Sequence, residues 1–322
     1  MRKPTDKKVT KLVNATPAEI SEDRILLGNN YAHLNGDGEF SATKCVPLSS
    51  LASANEITES RLLLEDPYAH LDEDAVGGFS AISSRAELLS TEKKERYTID
   101  EIEKHAINLQ KLMWGNRHKI WPNITTHRPV DVLDPIAALK FMGYDCEVEK
   151  NLGEFSSEGK LVEVAGTIDN SNKKVRISRH YSPNIQRFTA AHELGHAILH
   201  KTMGLHRDKP IDGSTATRRN STEFEADKFS AFYTMPSKLV RNTFKQIFLT
   251  ENFSINEATA VALGYDDYGS LMRKCKSLRD LSRVLASTER YNGRHFTSLA
   301  NQFKVSVVAM AIRLEELGLV II

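Results

Sequence analysis

The stretch "FTAAHELGHAILH", Phe188 to His200, constrains this chain more than any other. At its centre, His192 and His196 stand four residues apart. On an α-helix, side chains at i and i+4 share a face, so both ring nitrogens can meet one ion. The flanking "AA" and "AIL" read as buried, and a buried histidine needs a partner that a shared ion supplies. Glu193 is turned about 100° from His192. It can therefore approach a water at the ion without being a ligand. An ion lowers the pKa of such a water, and the carboxylate takes its proton.

His200 adds a third histidine at the same spacing, but it stands about 12 Å from His192 along the helix axis. Zinc–nitrogen bonds are about 2.0–2.1 Å, so a straight helix cannot bring all three rings to one ion. The pattern HExxHxxGxxH bends the helix at its glycine, but here Leu199 and Thr202 occupy the Gly and last His positions. His200 is expected to cap the helix, to lie at the surface, or to donate to a ligand from behind.

The missing ligand is best sought in "EFEAD", where Glu223 and Asp227 are i and i+4 on one helical face. Glu223 can complete the site while Asp227 orients a ligand histidine. Glu225 lies on another face and is expected in solvent. It remains a competing candidate, with His206 and Asp212 of the polar loop "HRDKPIDGSTATRRNS", which could instead be a flap or substrate-binding edge. Two histidines, one carboxylate and an open position suit hydrolysis. Zinc is the expected ion, and the carboxylate also admits manganese.

Around this site the chain divides unevenly. Residues 12–92 hold four basic and fourteen acidic side chains. Such a composition buries little apolar surface, so residues 1–95 are expected to be a disordered acidic extension. Within it, "EISEDRILLGNNYAHLNGDGEFSA" (19–42) is repeated as "EITESRLLLEDPYAHLDEDAVGGFSA" (56–81). Two copies are too few for a solenoid. They read as a duplicated docking motif gaining from avidity, or as a duplication in a tolerant tail.

From Tyr97 the pattern is helical. Thr98 is placed to cap "IDEIEKHAINLQKLMWG", with apolar residues at Ile99, Ile102, Ala106, Leu109 and Leu112. "DPIAALKFMGYD" reads as a second helix stopped by Gly143. "KLVEVAGTI" and "KKVRISRHY" read as strands joined at "DNSN". A helix follows over 184–200, another over "STEFEADKFSAFYTMP" to Pro236, and mainly helix thereafter.

The full chain has a net charge of +1, which gives no overall bias toward nucleic acid or membrane. Cys45, Cys146 and Cys275 form no CxxC pair, which excludes a cysteine zinc site and a disulfide framework and fits reduced thiols in a cytoplasm. There is no signal-peptide core and no run of about 18 apolar residues.

"RFTAAHELGHAILH" followed by "EFEADKFSAFYTMP" resembles the ImmA/IrrE family of bacterial metallopeptidases. The resemblance extends over Ile99 to about Pro236, and "DPIAALKFMGYDCEVE" and the hairpin fit the family's layout. It implies an α+β fold with a zincin-like core. It also implies His192, His196 and Glu223 as ligands and Glu193 as general base, and Asp227 stands where the family has Asn or Asp. "SAFYTMP" departs from the family's more aliphatic run, which bears on pocket shape. The implied activity is site-specific cleavage of a partner protein, often a helix-turn-helix repressor, in stress responses or mobile-element induction.

The tail, "HFTSLANQFKVSVVAMAIRLEELGLVII", resembles a winged helix-turn-helix core. Its second helix offers only Arg313 as a cation, and "RKCKSLRDLSR" is the densest basic patch. The expected organisation is a peptidase domain over 96–247 and a helical module over 248–322 that completes it. The rival readings are a DNA-binding regulator using the metallopeptidase fold as a scaffold, and an adaptor recruiting partners through "YAHL".

Overall fold

A computed structural model describes residues 84–90, 93–124, 128–150, 152–157, 160–200, 205–208 and 221–321. The acidic repeat and Asp212 lie outside these residues.

The described chain opens with α1 (Arg85–Ser90) and α2 (Ile99–Gly115). The start of α2 is fixed by a capping box, in which Thr98 Oγ1 accepts from the Glu101 amide and the Glu101 carboxylate accepts from the Thr98 amide. Its buried stripe runs through Ile102, Ala106, Leu109 and Met113. Ile99 falls outside that stripe and is 43% exposed. After α3 (Arg117–Ile120) and a 3-10 turn (Pro129–Val132) comes α4 (Pro135–Phe141). Asp134 caps α4 by accepting from the Ile136 and Ala137 amides. Gly143, at φ +87°, ends the segment in a left-handed conformation that costs glycine nothing.

The strands are β1 (Asp145–Glu149), β2 (Glu154–Ser157), β3 (Lys160–Glu163), β4 (Gly166–Asp169), β5 (Lys174–Ser178) and β6 (Leu205–Asp208). Four form a sheet in the order β1-β5-β4-β6, with β1 parallel to β5 and β4 antiparallel to both neighbours. The single strand expected over "KLVEVAGTI" is therefore two. Lys160–Glu163 pairs with β2 in a separate ribbon, and the chain enters the sheet only at Gly166. The turn between β4 and β5 is closed by Asp169, whose carboxylate accepts from the Ser171 and Asn172 amides.

Three helices follow: α5 (Pro183–Leu199), α6 (Ser221–Thr234) and α7 (Ser237–Phe248). Packed against β4, β5, α4 and α6, α5 is covered on all sides. Every residue from Phe188 to Leu199 is buried. Burial all round explains why the central polar residues must find their partners inside the protein.

The remainder comprises β7 (Phe253–Ser254), α8 (Glu257–Ala262), α9 (Tyr268–Lys274), α10 (Leu278–Ser287), β8 (Arg290–Tyr291), β9 (Arg294–His295), α11 (Leu299–Phe303), α12 (Val307–Glu316) and β10 (Val320–Ile321). The β8–β9 hairpin turns at Asn292 and Gly293, both with positive φ, and interrupts an otherwise helical stretch. Apolar residues of this region share one core with Leu133, Phe188, Ala231 and Met235. Arg313 lies across that junction. It is 3% exposed, donates to Met235 O and Ser237 Oγ, pairs with Glu316, and stacks over Phe232. The one cation of α12 is thus turned inward, so α12 offers no cation to DNA. Among the described residues, no helix is long and apolar enough to cross a membrane.

Candidate metal centre

Helix α5 is set by its ends. Pro183 occupies its first turn, and His200 leaves helical geometry at φ −109°, ψ 143°. Arg187 Nη2 donates to Leu133 O, which ties the helix to the turn before α4. At Gly195 the helix comes very close to α6. A Cβ there would lie 3.1 Å from Ala226 Cα and 3.3 Å from Phe229 Cβ. Glycine inside a helix costs about 1 kcal/mol relative to alanine. Here it admits the approach that brings α6 to the histidines.

His192 Nε2 and His196 Nε2 are 3.0 Å apart. The Glu223 carboxylate reaches over from α6, with Oε2 3.4 Å from His192 Nε2 and Oε1 3.5 Å from His196 Nε2. These three side chains each offer one ligand atom, all within 4.8 Å of one another. A tetrahedral ion with bonds of about 2.0–2.1 Å holds its ligand atoms about 3.3–3.4 Å apart. The donor set fits such an ion in spacing and in chemistry, being two imidazoles and one carboxylate. Both histidines are buried, while the Glu223 side chain is 30% exposed. The site is thus backed by protein and borders solvent at Glu223.

Behind the three side chains are further partners. Asp227 Oδ1 lies 2.8 Å from His192 Nδ1. His196 Nδ1 faces His200 Nδ1 at 3.0 Å, and His200 Nε2 faces Glu225 Oε2 at 3.1 Å. One expectation, that for Glu225, is corrected here. His200 takes up two of the places expected of it, ending the helix and facing His196 from behind, and it is buried, not at the surface. Burial lowers its pKa below the usual histidine value, although Glu225 pulls the other way. Glu225 is also buried and not solvated, because the chain entering α2 covers it and the Tyr97 amide donates to its Oε1. Lys93 Nζ donates to the carbonyls of Ala197 and His200.

Glu193 is fully buried on the sheet side of α5. Strand β4 passes directly against it, and a Cβ at Gly166 would fall 2.5 Å from Glu193 Oε1. Gly166 and Gly195 are the site-shaping residues that motif reasoning passes over. The signal for Gly195 is a glycine within a helical motif, whereas nothing local marks Gly166. Side chains on β6, His206 included, and Asp212 lie outside what the structure describes. Of the two described cysteines, Cys146 and Cys275, both are free thiols. Burial pushes the pKa of Cys146 up to about 11, which keeps it a neutral thiol.

Residues 149–257 match a family model described as the IrrE N-terminal-like domain, peptidase family M78. This is the ImmA/IrrE family that the two motifs resemble, and the matched span contains His192, Glu193, His196, Glu223 and Asp227. No curated protein and no solved structure matches the chain. The family match supports a metallopeptidase-type function.

Proposed function

We propose that this chain is a metal-dependent endopeptidase. The observation that carries the reading is the convergence of His192, His196 and Glu223 from two helices inside the peptidase-matched span. These three would hold Zn2+, with Mn2+ as the alternative. When bound, the ion supplies a Lewis acid that polarises the scissile carbonyl and acidifies water.

The protein's own groups do the rest. Asp227 holds the His192 ring from behind. Glu193 takes one proton from the attacking water as its oxygen adds to the peptide carbonyl carbon. It then returns that proton to the amide nitrogen as the C–N bond breaks.

The partner in this reading is a helix-turn-helix repressor, cleaved to control a stress or mobile-element response in the cytoplasm. Its support is the resemblance of "RFTAAHELGHAILH" and "EFEADKFSAFYTMP" to that family. The same reading divides the chain into a peptidase domain (96–247) and a C-terminal module (248–322) that completes it. The inward-turned Arg313 favours this packing role over DNA binding. The test is to co-incubate the Zn2+-loaded protein with candidate repressors encoded nearby. One is expected to yield a defined fragment that a chelator abolishes.

A further inference from the structure

The two ligand histidines are backed differently. A carboxylate has only acceptor lone pairs, so Asp227 Oδ1, 2.8 Å from His192 Nδ1, fixes the ring proton of His192 on Nδ1. The lone pair of His192 then sits on Nε2, facing Glu223. His196 is met at its Nδ1 in a different way. Its partner there is another imidazole, His200 Nδ1, at 3.0 Å. Such a contact is ambiguous, because either nitrogen can carry the proton. If His200 donates, a neutral His196 keeps its proton on Nε2 and cannot ligate.

Glu225 resolves the ambiguity. Its Oε2 lies 3.1 Å from His200 Nε2 and can only accept. The single ring proton of a neutral His200 is thereby drawn to Nε2, and its Nδ1 is left as an acceptor. His196 must donate through Nδ1, which exposes its lone pair at Nε2. The Nε2 atoms of His192 and His196 then point lone pairs at each other across 3.0 Å, an arrangement that calls for a cation. The outer pair is itself held in place. The Tyr97 amide donates to Glu225 Oε1, and Lys93 Nζ donates to His200 O. Both His200 and Glu225 are buried, where an unmatched polar group is costly.

We infer that Glu225 and His200 form a two-residue relay that holds His196 in its metal-binding tautomer, as Asp227 does directly for His192. They are positioning residues, and the inference rests on the proposed site of His192, His196 and Glu223. It assigns a task to the third histidine of the motif, which cannot reach the ion itself.

The test is Zn2+ affinity of the metal-stripped full chain, measured by competition with a chromogenic chelator alongside apo-protein melting. His200→Phe keeps the ring but loses both nitrogens, and is expected to weaken Zn2+ binding about 10–100-fold. His200→Asn keeps an oxygen near the Nδ1 position and is expected to stay within about threefold of wild type. Glu225→Gln can present either amide atom to His200 and is expected to lose about tenfold. Ring 15N shifts of the apo wild type are expected to report His196 protonated at Nδ1. Should His200→Phe fail to melt cooperatively, the nearly isosteric Glu225→Gln carries the comparison. The relay is overturned if folded His200→Phe and Glu225→Gln bind Zn2+ within about twofold of wild type, or if His196 carries its proton on Nε2. A wild-type protein that takes up no Zn2+ overturns the site as well as the relay, which separates the two failures.

Discussion

Gly166 in β4 stands directly against the carboxylate of Glu193 in α5, so close that a β-carbon there would fall 2.5 Å from Oε1. The same atom would meet Thr189 Cγ2 at 2.5 Å, so the space is closed from two sides. The position of Glu193 is therefore set by a residue with no side chain.

Gly166→Ala must push the carboxylate aside, since the strand backbone is held in ladders on both edges. A displacement of about 1 Å at a reacting group costs about 100-fold in rate. The expected outcome is a kcat lower by 10–100-fold with the Zn2+ content of wild type. Unchanged kcat would show that Glu193 is placed by something other than this contact.

Asp227→Ala removes the group behind His192 Nδ1. Loss of such a partner typically costs 10–100-fold in metal affinity. Chelator competition is expected to show that loss for Asp227→Ala and a smaller one for Asp227→Asn, whose amide oxygen can still accept. Equal affinity in Asp227→Ala would leave the Asp227 contact without a role in metal binding.

Arg313 serves the carbonyl of Met235 and the hydroxyl of Ser237 from a buried position beside Glu316. Arg313→Ala is expected to cost about 3 kcal/mol in a denaturant titration, because it strands buried partners. Arg313→Lys should recover only part of this, since one ammonium cannot reproduce the planar fork. A change below about 0.5 kcal/mol would argue that the tail is not anchored through this residue.

What could be read from the sequence follows the range of each interaction. The i, i+4 spacing of His192 with His196, and of Glu223 with Asp227, is local, as are the caps at Thr98 and Asp134. The fate of Glu225 is not. Its burial depends on the Tyr97 amide, 128 residues earlier in the chain, and no helical pattern reveals that a second face is covered. The pairing of β7 with β10 and the placing of β6 beside β4 are likewise long-range. The β8–β9 hairpin carries a local Asn-Gly signal, but its charged flanks, Arg290, Arg294 and His295, lack the apolar alternation that marks a strand. His200 shows the limit most plainly. Geometry excludes it as a ligand to the same ion, but only the folded protein shows what it touches instead.

In the proposed mechanism, Glu193 moves the proton while His192, His196 and Glu223 hold the ion. The most direct measurement is cleavage of a repressor substrate by Glu193→Gln, with Zn2+ stoichiometry determined on the same preparation. The expected outcome is wild-type Zn2+ content with cleavage slowed by about 100- to 10,000-fold. Cleavage at the wild-type rate by a fully Zn2+-loaded Glu193→Gln protein would contradict it.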